Sequence, residues 1–218
     1  MTQTSTKTAP PVDGRVSRAQ RLREERRSQV LRTARLLFAE RGYHQTSIND
    51  IIVAADIARG TFYLYFESKR AIFAELLDSY FVTLVQAVKR IEVGDGSAAP
   101  MEQMLDNVRR IVSVVRAERQ MGLIVLRGAG GIDAEFDGRL ADFYGRVAAL
   151  IESGLRLGIT MGLVRPCDPG LIAWCVLGSV KEVVDRVVLA EGAEVGLAAN
   201  VDHLARELVE FNLRGLFR

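Results

Sequence analysis

The sequence predicts an all-α protein in which three N-terminal helices precede a larger helical bundle. Apolar residues recur at helical spacing along most of the 218 residues, and no segment of useful length alternates apolar and polar residues as a strand would. The chain also divides by charge, because residues 1–70 carry a net charge of +6 and residues 71–218 one of −4. A basic N-terminal third indicates either contact with a polyanion or a solvated basic surface.

Charge and periodicity together divide the chain into three parts. Residues 1–24 are predicted to be a disordered basic arm, residues 25–71 a helix-turn-helix domain, and residues 72–218 a helical domain. The arm contains a run of arginines. We interpret this run either as a segment that enters the minor groove of DNA or as a tail that adds only nonspecific attraction.

Local signals place the N-terminal helices. The first helix has one apolar stripe and is predicted to end at Gly42, which can adopt a left-handed conformation. Ser47 and Asp50 have the spacing of a capping box at the start of a short second helix. Asp56 tolerates the left-handed conformation that a tight turn requires. A third short helix is expected over residues 58–65, and Ser68 is expected to cap a long fourth helix.

The remaining helices are separated by glycine- and proline-containing breaks. Helical patterns lie near residues 101–118, 119–127, 133–161, 168–190 and 194–216. Three helices with a short turn between the second and third are typical of helix-turn-helix proteins, and the later segments are expected to form a bundle.

Several spaced motifs resemble a known family. They are Leu36–Tyr43, Thr46–Ile48, Arg59–Phe66 and Ser68–Lys69. In this order they resemble the DNA-binding domain of TetR-family (tetracycline-repressor-like) transcriptional regulators, over roughly residues 25–80. The resemblance implies a double-stranded DNA operator as partner and a C-terminal domain for ligand binding and dimerisation. Two positions depart from the family pattern, because Asp56 stands where Gly is usual and Ala58 where Ser is common; both bear on the operator sequence.

The third helix carries residues suited to a DNA groove. Arg59 can donate two hydrogen bonds to a guanine edge, Gly60 permits close approach, and Thr61 offers a methyl and a hydroxyl group. Ser47 lies at a helix N-terminus, where backbone N–H groups attract a phosphate. By resemblance, three further residues would bind phosphates: Tyr63, Tyr65 and Lys69. Phe62 and Phe66 are expected to be buried supports of this helix.

The last two helices are the expected homodimer interface. The segment from residue 170 to residue 189 is apolar nearly all round, and a helix of that kind must be covered on most sides. With the last helix it can form a four-helix bundle across a two-fold axis. The alternative is a core within one chain. The expected interface residues are Leu177, Val180, Val184, Val188, Leu204, Leu208 and Phe211.

Between the fourth and eighth helices we expect a pocket for an apolar or amphipathic effector that releases the protein, as a repressor, from a near-palindromic operator. Each candidate residue can instead be ordinary core. The candidates are Phe81, Val108, Arg109 (as an anion anchor), Val112, Met121, Leu126, Phe143, Tyr144 and Trp174. The alternative function is a DNA-binding protein of the same fold that binds no small molecule and acts through a protein partner.

Other classes of function find little support in the sequence. The two histidines, His44 and His203, have no nucleophile or metal-spaced partner nearby, so neither an enzyme, a metal site nor a cofactor is expected. The longest strongly apolar run, Leu171–Val180, is about half the length that a membrane crossing needs. We therefore expect a cytoplasmic protein without a membrane partner.

Overall fold

The computed structural model describes residues 14–127, 134–188 and 200–213, and all regular elements in these ranges are helices. The all-α prediction is therefore confirmed. The α-helices of these ranges are α1 (Gly14–Arg41), α2 (Ile48–Ala54), α3 (Arg59–Tyr63), α4 (Lys69–Ala87), α5 (Pro100–Ala117), α6 (Arg119–Arg127), α7 (Ala134–Thr160), α8 (Pro169–Val183) and α9 (Val201–Leu213). α8 continues into a π-helical turn, Val184–Val188.

The first helix corrects the boundary predicted for the basic arm. α1 begins at Gly14, so residues 14–24 are helical where the sequence analysis expected disorder, whereas residues 1–13 lie outside the described residues. Arg, Gln, Leu, Glu and Ala, which fill residues 18–26, are strong helix formers. Extending a helix that is already nucleated costs far less than starting one.

The local signals for the N-terminal helices are confirmed. Gly42 and Asp56 have positive φ angles of 87° and 48°, and they end α1 and form the turn after α2. The Ser47 side chain accepts a hydrogen bond from the Asp50 backbone N–H, and the Asp50 side chain accepts one from the Ser47 backbone N–H. The Ser68 side chain accepts a hydrogen bond from Ala71 N and thereby caps α4.

One hydrophobic cluster joins the N-terminal helices to the rest of the protein. α1 contributes its predicted apolar stripe, and α4 and α7 contribute residues such as Ile72, Phe73 and Phe136. Arg35 of α1 also forms an ion pair of 2.7 Å with Glu118, between α5 and α6. The helix-turn-helix domain and the C-terminal domain therefore share a core, and a shift in one is resisted by contacts in the other.

The packing of the last helices corrects part of the predicted interface. α5 packs against α9 and α7 against α8, so apolar positions on α8, its π-helical turn and α9 face neighbouring helices of the same chain. Helical periodicity shows that these residues need cover but does not identify the covering helix. Four of the seven predicted interface residues are buried inside this chain: Leu177, Val184, Leu204 and Leu208.

Some apolar residues stay exposed on these helices, and one of them, Phe211, belongs to the predicted interface. Trp174 is 54% exposed and Phe211 is 78% exposed. Val180 is half-buried, and the side chain of Val188 is outside the described residues. We give the name outer face to the exposed residues of α8 and α9 that carry no charge and are not histidine: Leu171, Trp174, Cys175, Gly178 and Phe211. In the described ranges no helix combines the length and apolar character that crossing a bilayer requires.

Candidate nucleic-acid interface

The turn between α2 and α3 is held from inside the domain. Ile51, Ile52 and Ala55 are buried, and they fix α2 against the core. The chain then reverses through Asp56, and the Ile57 backbone N–H donates to Ile52 O at 3.2 Å. Ala58 precedes α3 without a side-chain cap, so the first N–H groups of α3 receive no side-chain acceptor there. The two short helices are therefore placed by burial and by the turn.

α3 has one buried side and one open side. Phe62 is completely buried and Phe66 nearly so, which confirms their predicted role as supports. The Arg27 guanidinium lies 4.8 Å above the Phe66 ring and forms an ion pair with Glu75, so α1 and α4 hold this end of α3. Arg59, Gly60, Tyr63 and Leu64 make up the exposed side.

The exposed side of α3 presents the Arg59 cation, the open space beside Gly60 and the Tyr63 ring. The Cζ atom of Arg59 lies 5.8 Å from the centroid of the Tyr63 ring, one helical turn away. A Cβ added at Gly60 would meet nothing within 4 Å. The fold of this chain therefore does not require glycine there, and the open space is available to an outside molecule. Thr61 and Tyr65 are half-buried at the margins.

The Ser47 side chain is already hydrogen-bonded at the N-terminus of α2. Its Oγ atom donates to Asp50 Oδ2 at 2.6 Å and accepts from the Asp50 backbone N–H at 3.1 Å. These hydrogen bonds lower the pKa of the Asp50 carboxyl below its usual range, so the carboxylate persists to lower pH. A phosphate approaching this end of α2 would meet a negative charge, and the prediction that Ser47 anchors a phosphate gains no support.

Lys69 has a structural task at the start of α4. Its Nζ atom donates to the backbone carbonyls of Tyr43 at 2.7 Å and Thr46 at 2.8 Å. The same ammonium group lies 4.2 Å from the centroid of the Tyr43 ring. Lys69 therefore ties the loop between α1 and α2 to α4, which is a role that its resemblance to a phosphate-binding lysine did not suggest.

Five of the seven predicted DNA-binding residues fall into two groups, and the other two, Thr61 and Tyr65, are half-buried at the margins of α3. Arg59, Gly60 and Tyr63 lie together on the exposed side of α3, whereas Ser47 and Lys69 lie at the starts of α2 and α4 and are engaged with the protein itself. Sequence reasoning missed Leu64, which is 69% exposed directly after α3. The sequence pattern, an apolar residue between two tyrosines, is typical of a buried position. Only the exposure of Leu64 in the structure identifies it as a surface residue.

An aromatic stack connects this region to the C-terminal domain. Phe136, near the start of α7, stacks on Tyr43 at 4.7 Å and on Phe73 at 4.5 Å between ring centroids. His44 meets Phe136 edge-on at 5.0 Å, and its buried Nε2 atom has no hydrogen-bond partner among the described residues. Sequence analysis did not identify Phe136 as a functional residue. The stack joins the loop before α2 to α7.

The residues predicted to line an effector pocket divide between two hydrophobic clusters, although the Phe143 ring contacts the rings of both Phe81 and Tyr144. Phe81, Met121, Phe143 and Tyr144 belong to the hydrophobic cluster shared with the N-terminal domain. A second cluster, with Val112 buried at its centre, contains the other apolar candidates: Val108, Val112 and Leu126. The spacing of apolar residues correctly predicts that these residues are at least partly buried, but it does not show which helices they contact.

Two further pocket candidates occupy other positions. Arg109 forms an ion pair of 2.7 Å with Asp202 of α9, so its charge is already balanced. Trp174 lies on the outer face of α8 and is exposed. Trp174 therefore does not face the core where the pocket was expected, and its prediction is corrected, whereas Arg109 is half-buried and paired with Asp202.

An open groove of about 540 Å³ runs between α4 and α7. Its floor is apolar, with Leu77 and Phe143, and its rim carries charges of both signs. Arg146 on the rim pairs with Asp78 at 2.5 Å and lies 3.9 Å from the centroid of the Phe81 ring. The complete lining is Ala74, Leu77, Asp78, Arg139, Ala141, Asp142, Phe143, Gly145, Arg146 and Ala149. Of the predicted pocket residues, only Phe143 contributes to it.

Two buried phenols lie close to this region. Burial raises the pKa of Tyr80 above its ordinary value, and the nearby negative charge of Glu118 adds to the effect. Burial likewise raises the pKa of Tyr144, whose hydroxyl donates to Val125 O at 2.9 Å. Both phenols are therefore neutral at physiological pH.

Known proteins resemble this chain in sequence and fold. Residues 30–76 match the model of bacterial regulatory proteins of the tetR family. The HTH-type transcriptional regulator HbdR of Aromatoleum sp. (strain CIB) is 30% identical over 190 residues, which cover 84% of this chain and 82% of HbdR.

Solved structures extend the likeness beyond the N-terminal domain. A TetR-family regulator from Syntrophomonas wolfei superposes with a TM-score of 0.70 at 26% identity, covering 87% of this chain and 93% of that one. AibR, in a complex with isovaleryl coenzyme A and operator DNA, has a TM-score of 0.64 at 20% identity. The match covers 85% of this chain and 97% of AibR. The extent of the match to HbdR and the match of residues 30–76 to the family model show that the chain belongs to the TetR family of helix-turn-helix transcriptional regulators.

Proposed function

We propose that this DNA-binding regulator works as a homodimeric repressor, released from a near-palindromic operator by an amphipathic small molecule. The observation that carries the proposal is the open side of α3, where Arg59, Gly60 and Tyr63 are exposed while Phe62 and Phe66 hold the helix from behind. A short, rigid helix with an uncovered polar side is suited to the major groove, which is about 12 Å wide.

Arg59 is the residue that we propose to read sequence. A guanidinium group that donates two hydrogen bonds to a guanine discriminates against other bases by about 1–3 kcal/mol. In the free protein the guanidinium lies near the Tyr63 ring, which keeps it on the exposed side of α3. Gly60 would allow the backbone to approach the DNA, and Tyr63 would donate to a phosphate from the helix edge.

Dimerisation through the outer face would place two copies of α3 on one duplex. Leu171, Trp174 and Phe211 are large apolar side chains exposed on adjacent helices, and an exposed cluster of this kind marks an interaction surface. A two-fold arrangement uses the same surface on both subunits. Two recognition helices about 34–36 Å apart would then meet successive turns of the major groove.

The groove between α4 and α7 is the site that we propose for the effector. Its volume, about 540 Å³, lies within the usual range for small-molecule sites of about 300–1,000 Å³. An apolar floor suits an apolar tail, and Arg139 on the rim is the residue that we propose for an anionic head, because Arg146 is already paired with Asp78. AibR, which shares the fold, was crystallised with an acyl coenzyme A and DNA, and that pairing suggests the first compounds to test.

α4 offers a route from the groove to the DNA. It begins at Lys69, which holds the loop before α2, and it continues to the groove residues Leu77 and Asp78. A ligand that separates α4 from α7 would also disturb the contact between Phe136 and Phe73. Such a ligand shifts the equilibrium only as far as it prefers the separated state.

The test uses the full chain and a duplex selected from random DNA. Isovaleryl coenzyme A and a longer acyl coenzyme A are titrated into the complex, with coenzyme A alone as a control. Release by the acyl compounds supports the proposal. A complex that forms normally but responds to none of them, with no ligand-induced rise in melting temperature, contradicts the effector proposal and favours action through a protein partner.

Two glycines of α7 provide matched variants for the effector site. A Cβ added at Gly145, which lines the groove, or at Gly138, which does not, meets nothing within 4 Å. Gly145→Leu is expected to fill the groove and abolish release while it leaves DNA affinity unchanged. Gly138→Leu makes the same chemical change on the same helix and is expected to leave release intact; equal behaviour of both variants would place the effector elsewhere.

A further inference from the structure

We infer that residues 14–26 of α1 form a rigid basic extension that contacts DNA phosphates outside the base pairs read by α3. This inference rests on the proposed DNA contact of α3 and adds a second surface to it. The extension is the part of α1 that lies ahead of Arg27, the first residue of the helix packed against the domain. Its sequence contains five arginines and two glutamates, for a net charge of +3.

The contacts of α1 define where the extension points. Near its C-terminal end, α1 touches the C-terminal domain through the ion pair between Arg35 and Glu118. Two turns earlier, Gln29 Nε2 donates to Ala55 O at 2.8 Å, at the turn that precedes α3. A helix keeps its direction, so the residues before Arg27 continue past the helix-turn-helix, away from the C-terminal domain.

The extension is long and uncovered. Its 13 residues, counted from Gly14 to Arg26, rise by about 1.5 Å each, or about 20 Å in total. This length corresponds to about six base pairs of duplex at 3.4 Å per pair. The side chains from Arg18 to Arg26 are all exposed, so this part of the extension is open to solvent and to an outside molecule.

The exposed arginines carry charge that the described protein does not balance. Arg18, Arg21 and Arg23 form no ion pair with any described carboxylate, in contrast to Arg27 and Arg35 on the packed part of the same helix. Unpaired guanidinium groups beside a DNA-reading helix gain affinity by releasing counterions from the duplex. The positive charge of the extension complements the phosphates of DNA, and the extension is continuous with the α3 surface. Both features favour DNA as the molecule that the extension contacts.

Helical structure also determines which part of the DNA the extension can reach. An α-helix with its side chains is about 10–12 Å across, whereas the minor groove of B-form DNA is only about 6 Å wide. The segment from Gly14 onward therefore cannot lie in the minor groove as an extended arm would. It is restricted to the phosphate backbone, which its arginine side chains can reach from outside.

The experiment combines a charge variant with two lengths of DNA. The long probe is a duplex selected by the full chain from random DNA, with about eight flanking base pairs on each side; the short probe lacks the flanks. The variant Arg18→Gln/Arg21→Gln/Arg23→Gln removes three charges from the extension. Its matched control, Arg90→Gln/Arg110→Gln/Arg156→Gln, removes three charges from the C-terminal domain.

We expect the wild type and the control to bind the long probe about tenfold or more tightly than the short one, and the extension variant to bind both probes alike. The slope of log affinity against log salt for the long probe should fall by about 0.9 for each phosphate that the variant no longer neutralises. If the extension and control variants behave alike, the inference is overturned. A wild type that binds no duplex at all would instead contradict the proposed function.

A second pair of variants separates a rigid helix from a flexible arm. Gln20→Pro keeps every arginine but interrupts α1, because proline in a helix interior costs about 3 kcal/mol and frees the preceding residues. Gln20→Ala keeps the helix and serves as the control. The proline variant is expected to lose part of the advantage of the long probe. Full retention of that advantage would show that a flexible basic arm is sufficient and would overturn the helical account.

Discussion

Phe136 stacks on Tyr43 with their ring centroids 4.7 Å apart and their planes 28° from parallel. The two residues belong to α7 and to the loop that precedes the helix-turn-helix, so one aromatic contact joins the C-terminal domain to the DNA-reading helices. Phe136 is almost completely buried, and it also stacks on Phe73 of α4. Any motion of α7 relative to α4 must change this contact.

Phe136→Ala is expected to destabilise the protein by about 3–5 kcal/mol, the usual cost of removing a buried phenylalanine ring. Urea unfolding at fixed protein concentration measures the change. Val82→Ala, at an exposed position on α4, is the control and is expected to cost less than about 0.5 kcal/mol. A similar loss in the free energy of unfolding for the two variants would show that the aromatic stack contributes little to stability.

Lys69→Met is expected to lower stability because the Tyr43 and Thr46 carbonyls lose a charged donor. The cost is about 1–2 kcal/mol, reduced from that of buried charged hydrogen bonds because the site is partly exposed. Arg90→Met removes an equal charge from an exposed residue. If thermal unfolding shows the same loss for both variants, Lys69 has no special structural role.

If the proposed dimer forms through the outer face, Trp174→Glu/Phe211→Glu is expected to give a monomer, since it places charges at the centre of that interface. Sedimentation equilibrium measures the mass, and DNA affinity should fall with it because each monomer can contact only one half-site. Val93→Glu changes an exposed apolar residue elsewhere and should leave the mass unchanged. An unchanged dimer mass for the double variant would show that the outer face is not the dimer interface.

Stability is expected to fall as pH rises above about 10, the ordinary pKa of tyrosine. Burial raises the pKa of Tyr80 and of Tyr144, so the folded protein holds these protons more tightly than the unfolded chain. Unfolding therefore releases protons above the unfolded pKa, and the free energy of unfolding decreases with rising pH. Tyr80→Phe should flatten this dependence in urea unfolding series between about pH 9 and about pH 11; an unaltered slope would contradict the assignment.

Local sequence signals predicted the helices well. Gly42, Asp56 and the capping box of Ser47 and Asp50 act within a few residues, so their effects do not depend on the rest of the fold. Phe62 and Phe66 were predicted to be buried because a short helix needs apolar support. Membership of a family of transcriptional regulators also confirms the prediction that the protein is not an enzyme.

Local sequence signals do not predict which helices pack together or which distant residues pair. Leu204 and Leu208 have the spacing of an apolar helix face, but only the position of α5 shows that the face is covered within the chain. Arg109 was interpreted as an anion anchor because its partner, Asp202, lies 93 positions later in the sequence. No sequence pattern identifies Phe136, because its partners in α4 and in the loop after α1 are distant in the chain.

The central claim is that the exposed side of α3 reads DNA sequence, and Arg59→Ala tests it most directly. Affinity is measured for a duplex selected by the wild type and for random duplex at the same salt concentration. The account predicts that the variant loses about 1–3 kcal/mol of discrimination between them while affinity for random duplex changes much less. An equal loss on both duplexes would show that Arg59 contributes only charge and would contradict the claim.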